Sequence, residues 1–179
     1  MVSGRLVGSE QQSYQVRFDW GVAGAHAVAA DADVLVWIDA LDPAPAPLTL
    51  LPGRPAVVEA ALPDAVAIAA WILALQEQRQ RRTVVALIAA GAARGDGLRF
   101  AVEDLLTAGA VVDALESRGI DAFSPEAAAA DAAYRTLKGA VGHLFRSAAG
   151  GASVPDSALR IDPVRTPADV VVRRPSRAP

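Results

Sequence analysis

DVLVWIDAL, residues 33–41, is the stretch on which the fold turns. Five apolar residues, Val34 to Ile38, follow one another with no polar interruption. A strand with one wet face would alternate; a run that is apolar at both parities belongs to a strand covered on both sides, as in a parallel sheet between helices. TVVALIAAG (83–91) repeats that character. YQVRFDW (14–20) alternates enough to be a third strand, closed by Gly21.

The segments between and after these runs read as helices. VAGAHAVAA (22–30) is a short one. AVAIAAWILALQEQRQRR (65–82) is longer, with Asp64 placed to cap it and Gln and Arg in its last turns, where solvent and the negative dipole end favour them. LRFAVEDLLTAGAVVDALESRG (98–119) follows the exit loop GAARGDG. A last helix opens with Ser124 as cap and Pro125 at its first position, and is expected to run to about Arg146. Strands that alternate with helices predict an α/β class: a largely parallel sheet flanked by helices in a single compact domain. The expected boundaries are a flexible arm over 1–12, the α/β domain over 13–150, and a weakly packed C-terminal extension over 151–179 with one short strand candidate, DVVVRR. A Pro-rich linker, 42–56, interrupts the domain; residues 42–55 alone hold five prolines.

Composition narrows the function classes. The 179 residues are 53% hydrophobic, enough for a substantial core, and the net charge of −3 leaves no basic footprint for nucleic acid. There is no cysteine, which excludes disulfides, thiolate metal sites and Cys nucleophiles. The N-terminus lacks the apolar run of a signal peptide. The longest apolar segment, AVAIAAWILAL (65–75), is too short to span a bilayer. A cytoplasmic protein with no membrane partner is expected.

An α/β sheet keeps its site at the carboxyl ends of its strands. That directs attention to Asp39 and to the loop 91–100. Helical spacing sets Asp104 on the side of Ala108, Val111 and Leu115, and Glu103 on the side of Thr107, Ala110 and Ala114. Two readings of this pair stand side by side. Both acids favour the positive end of a helix dipole; alternatively, Asp104 sits desolvated at a strand end and holds a hard cation such as Mg²⁺ through oxygen. Glycines 91, 95 and 97 match neither GxGxxG nor GK[ST], so Gly91 opens a strand-to-helix turn without a nucleotide fingerprint. Arg94 and Arg99 are placed to pair with a phosphate or carboxylate. His26 and His143 have no ligand spacing, Ser13, Ser124 and Ser147 lie in no nucleophile elbow, and Arg79, Arg81 and Arg82 read as a solvated helix end.

Three blocks resemble the 2-phosphosulfolactate phosphatase family: YQVRFDWGVAGAHAV with ADVLVWIDAL, then ALIAAGAARGDGLRFAVEDLLTAGAVVDAL, then SPEAAAADAAYR. Together they cover about residues 13–41 and 57–147. The resemblance implies a compact α/β fold and Mg²⁺-dependent hydrolysis of a phosphomonoester. The substrate would be phosphosulfolactate, on a route to coenzyme M, or another small phosphorylated acid. It makes Asp39, Glu103 and Asp104 the catalytic acids, with Asp39 and Asp104, or Glu103, on the metal, and Arg94, Arg99 and Gly91 about the substrate. Arg17 and Asp19 match the opening of related bacterial members. The chain departs from the family pattern in three places. LDPAPAPL stands where a stretch ending in Thr-Thr follows the first acid, and both the Asn-Gly-Thr/Ser loop and the Gly-Glu-Arg segment are absent. The alternative is a non-catalytic scaffold that keeps the fold and binds a ligand or a protein partner. A shortened sheet would also expose an edge, which a homodimer would cover.

Overall fold

The apolar runs do become the centre of a sheet. In a computed structural model, residues 11–41, 44–95, 97–149 and 153–175 are described, the side chains of residues 93 and 94 excepted. The strands β1 (Val16–Trp20), β2 (Val34–Ile38), β3 (Ala56–Ala60) and β4 (Val85–Ala89) run parallel in the order β1-β4-β2-β3, and β7 (Val172–Arg174) joins β3 antiparallel. A two-stranded hairpin, β5 (Ala92–Arg94) and β6 (Gly97–Arg99), stands apart from the sheet.

The parity of each strand sorts its side chains into two cores. Val34, Val36, Ile38, Val58, Leu87 and Ala89 face one side, against α2 (Ala65–Arg79), α3 (Val102–Glu116), α4 (Pro125–Leu137) and α5 (Val141–Ala148). Leu35, Trp37, Val57, Ala86 and Ile88 face the other, against α1 (Gly21–Val28) and the loop residues Ala46 and Leu51. The mixed α/β architecture with a mostly parallel sheet flanked by helices is therefore as the apolar runs predicted. The Pro-rich segment contributes to the core as well. Together with α1 it roofs the second face, which too few helices cover.

Several local expectations are corrected. β3 has little mark in the sequence; AVVEA follows directly on the Pro-rich loop, and the two valines are its one strand signal. Asp64 does not cap α2. Its Oδ2 reaches back to accept from the Ala61 N–H at 2.8 Å, closing a 3-10 turn over Leu62–Asp64. Ser124 does cap α4, accepting from the Ala127 N–H at 3.2 Å. That helix stops at Leu137, where a 3-10 turn through Lys138–Ala140 redirects the chain into α5. Ala92–Arg94 and Gly97–Arg99, from that loop and the expected helix start, form the hairpin strands instead.

One outer edge of the sheet is taken up within the chain and the other is short. Along β1, the Gln11 side-chain amide serves as a surrogate strand: its Nε2 donates to the Phe18 carbonyl and its Oε1 accepts from the Phe18 N–H, both at 3.0 Å. Val16 pairs with the segment at Phe123. Beside β3, β7 is short and carries arginines, both devices that blunt an edge. The β1 side is thus covered, whereas β7 is itself a short and largely exposed edge strand. Of the expected arm, residues 1–10 lie outside the described set, while Gln11 is buried. The extension is largely exposed but pinned: Arg173 Nε donates to Glu59 Oε2 at 2.7 Å, Arg165 pairs with Asp64, and the Arg174 guanidinium donates to the Leu48, Pro52 and Pro55 carbonyls.

Arg17, the largest fully buried side chain, is part of the frame. Its guanidinium donates to the carbonyls of Gln12, Tyr14 and Val28, and its Nη1 lies 2.5 Å from Asp31 Oδ1. Arg17→Leu leaves three carbonyls and a carboxylate without their donor, and is expected to cost about 3–5 kcal/mol of unfolding free energy. Urea denaturation monitored by circular dichroism measures this loss.

Candidate functional site

Two strands deliver their carboxyl ends to one place, and α3 begins there. Asp39 is the residue after β2, and Gly91 lies two residues beyond β4. α3 opens at Val102, so Glu103 and Asp104 occupy its first turn, where the positive helix end favours acids. Both are buried, Glu103 at 7% and Asp104 at 2% exposure. The side that Glu103 shares with Thr107, Ala110 and Ala114 is inside as well, because α3 is enclosed by α2, α4, α5 and the sheet.

Asp104 fastens the two strand ends together. Its Oδ1 accepts from the Ala40 N–H at 2.9 Å and its Oδ2 from the Gly91 N–H at 2.8 Å. Gly91 has φ +65, and a Cβ there would come within 2.8 Å of the Arg99 carbonyl oxygen, so the turn requires glycine. Its N–H, given to Asp104, is committed to the frame. Burial pushes the Asp104 carboxyl up to about 7; the two backbone donors oppose this, while the charges of Asp39 and Glu103 add to it.

Asp39, Glu103, Asp104, Gly91 and Arg99 line one open cavity of about 560 Å³, closed on its far side by Leu41 and by Ala148 and Ala149 at the end of α5. The size suits a small ligand. Asp39 Oδ2 accepts from the Ala44 N–H at 3.2 Å. Arg99 Nη2 stands 3.7 Å from Glu103 Oε1, a loose pair with a partly exposed arginine. Glu103 Oε2 is buried with no hydrogen-bond partner. A buried carboxylate oxygen without a donor is costly, and a cation in the cavity would satisfy it.

The donor set fits Mg²⁺ better than a metal that needs a full protein cage. Among the described residues no group of three or more His, Cys, Asp or Glu side chains is arranged to hold a metal. Mg²⁺, however, commonly takes one or two carboxylates and completes its shell with water and substrate phosphate. Asp39 and Glu103 supply that number. The three sequence-predicted acids and Arg99 thus meet, whereas the Arg94 side chain lies outside the described set. Arg17 and Asp19 are absent from the cavity lining. Arg79 and Arg81 are not merely a solvated helix end: both pair with Asp33, Arg81 through two bonds of 2.6 and 2.9 Å. The contribution of Leu41 and α5 had no signal in the sequence, because it arises from how α5 folds back on the sheet.

No protein-family model matches the chain, and no curated protein matches it.

The carboxyls give stability an unusual pH profile. Asp104 is raised from the ordinary 3.8 to about 7, so the folded state binds its proton more tightly than the unfolded one. Its contribution is fully present below about pH 4 and is lost as pH rises through 7, a change on the order of 4 kcal/mol. Asp31, held down by the Arg17 hydrogen bond, and Asp33, held down by Arg81 against its own burial, act oppositely: their stabilisation is lost on acidification below the usual carboxylate range. In chelator-containing buffer the melting temperature is therefore expected to peak on the acid side of neutrality and to decline toward pH 8. A curve that climbs steadily from pH 5 to 8 would contradict the raised Asp104 value.

Proposed function

We propose that the cavity at the carboxyl end of the sheet hydrolyses the phosphomonoester of a small molecule with the help of Mg²⁺. The observation that carries this reading is the buried, partnerless Oε2 of Glu103 in a cavity shared with Asp39. The resemblance to 2-phosphosulfolactate phosphatases leads to the same reading: the three acids it would make catalytic, Asp39, Glu103 and Asp104, all line the cavity, although Arg17 and Asp19 do not.

Each side chain has a distinct part. Asp39 and Glu103 hold the cation. A Mg²⁺ ion held there would supply positive charge against the phosphoryl oxygens. Arg99, loosely paired and partly exposed, turns its guanidinium from Glu103 to the phosphate, for which its planar fork is suited. Asp104 is a positioning residue: by holding Ala40 and Gly91 it keeps Asp39 and the hairpin base at a fixed separation. Water forms the new P–O bond, the bond from phosphorus to the alcohol oxygen breaks, and the alcohol leaves with a proton.

The test is phosphate release from 2-phosphosulfolactate and from p-nitrophenyl phosphate, with Mg²⁺ and with chelator. Release from p-nitrophenyl phosphate that needs Mg²⁺ is expected, with 2-phosphosulfolactate as the acidic comparison. The second reading, a scaffold without catalysis, draws on the frame role of Asp104, which explains a buried acid without any chemistry. It gains if neither substrate yields phosphate from folded protein.

A further inference from the structure

A second cavity adjoins the first, and most of its outer wall lies outside the segments that resemble the phosphatases. It measures about 360 Å³ and shares Leu41 and Ala149 with the acid-lined cavity. That outer wall is the extension: Ser153, Ser157, Asp162 and Arg165 supply polar atoms, while Pro63 and Val154 are among the apolar walls. We infer that this pocket receives the alcohol half of the phosphomonoester, and that this alcohol is an uncharged polyol.

Placement gives the first part of the argument. A phosphate held beside Asp39 and Glu103 can point its ester oxygen to solvent, into a cavity of about 150 Å³ that shares Asp39 and Ala44, or across Leu41, and the last direction offers the larger walled volume. Charge gives the second part. Among the described residues Arg165 is the sole cation of the pocket lining, and it is already engaged: Nη1 pairs with Asp64 and Nε lies 3.7 Å from Asp162 Oδ2. Two carboxylates around one guanidinium leave no positive excess, so a second anionic group on the substrate would meet net repulsion. Hydroxyl groups are matched instead. Asp162 accepts, Arg165 donates through its remaining N–H groups, and the two serines do either; the aliphatic walls take the C–H faces. The extension is held in this position by the Arg165–Asp64 pair, to the 3-10 turn before α2, and by the Arg173–Glu59 pair, to β3.

The inference rests on the phosphatase reading, and a single panel separates the two. Glycerol 3-phosphate and 3-phosphoglycerate share a three-carbon skeleton and differ in the charge at the far end. With Mg²⁺ present, kcat/KM is expected to be at least about tenfold higher for the polyol ester. Asp162→Asn, which removes one of the carboxylates, is expected to lower that ratio about tenfold, chiefly through KM. Equal or greater activity toward the acid, or a ratio unmoved in Asp162→Asn, overturns the polyol assignment while the phosphatase reading stands. Absence of release from any ester overturns both.

Discussion

Gly109→Ala is expected to destabilise the protein by more than about 3 kcal/mol, although alanine is the better helix former. Two effects compete here. In a helix interior, Ala gains about 1 kcal/mol over Gly. Against this stands the contact of α3 with α4, the most extensive helix pairing among the described residues. A Cβ on Gly109 would lie 2.7 Å from Tyr134 Cβ and 2.8 Å from the Ala130 carbonyl carbon, with the Ala130 carbonyl oxygen nearer still. The obstacle is backbone, so no rotamer change relieves it, and α4 must move away from a core that is packed as densely as a crystal. Separation would open the layer around Leu106, Ala127 and Ala130, all fully buried. Gly109→Val adds two more carbons and is expected to abolish the folded state. Urea unfolding with near-ultraviolet circular dichroism decides the sign. A neutral or stabilised Gly109→Ala would show that the helices do not approach as described.

Glu103→Gln is expected to reduce Mg²⁺-dependent phosphate release by about 10³-fold, the scale of losing several kcal/mol of charge stabilisation in phosphoryl transfer. The same change should leave the protein at least as stable. The wild-type side chain keeps a buried oxygen without a partner and only a loose pair to Arg99, so removing its charge relieves a desolvation penalty. Activity that falls while the melting temperature holds or rises is the signature of a group kept for function at a cost in stability. If both fell together, Glu103 would be part of the frame.

How far the sequence could lead is clear from particular residues. Val34 to Ile38 and Val85 to Ala89 declare themselves because burial on both faces leaves an unbroken apolar run. β3 is hard to see because only Val57 and Val58 mark it and the proline-rich loop precedes it. The hairpin at Ala92–Arg99 is hidden by glycines, which permit turns without specifying the pairing that follows. Asp39, Glu103 and Asp104 are legible as acids at strand and helix ends. The division of labour between them is not: whether a carboxylate meets backbone N–H groups, as Asp104 does, or none, as Glu103 Oε2 does, is decided by the tertiary separation of Ala40, Gly91 and α3. The pocket formed by Asp162 and Arg165 is equally invisible, since it depends on the extension returning to the sheet through pairs a hundred or more residues apart.

Calorimetric titration of Mg²⁺ into the metal-free protein, with and without inorganic phosphate, tests the central claim most directly. Saturable binding of one ion, strengthened by phosphate and lost in the double variant Asp39→Asn with Glu103→Gln, is the predicted result. No saturable binding, or binding that survives unchanged in the double variant, would contradict it.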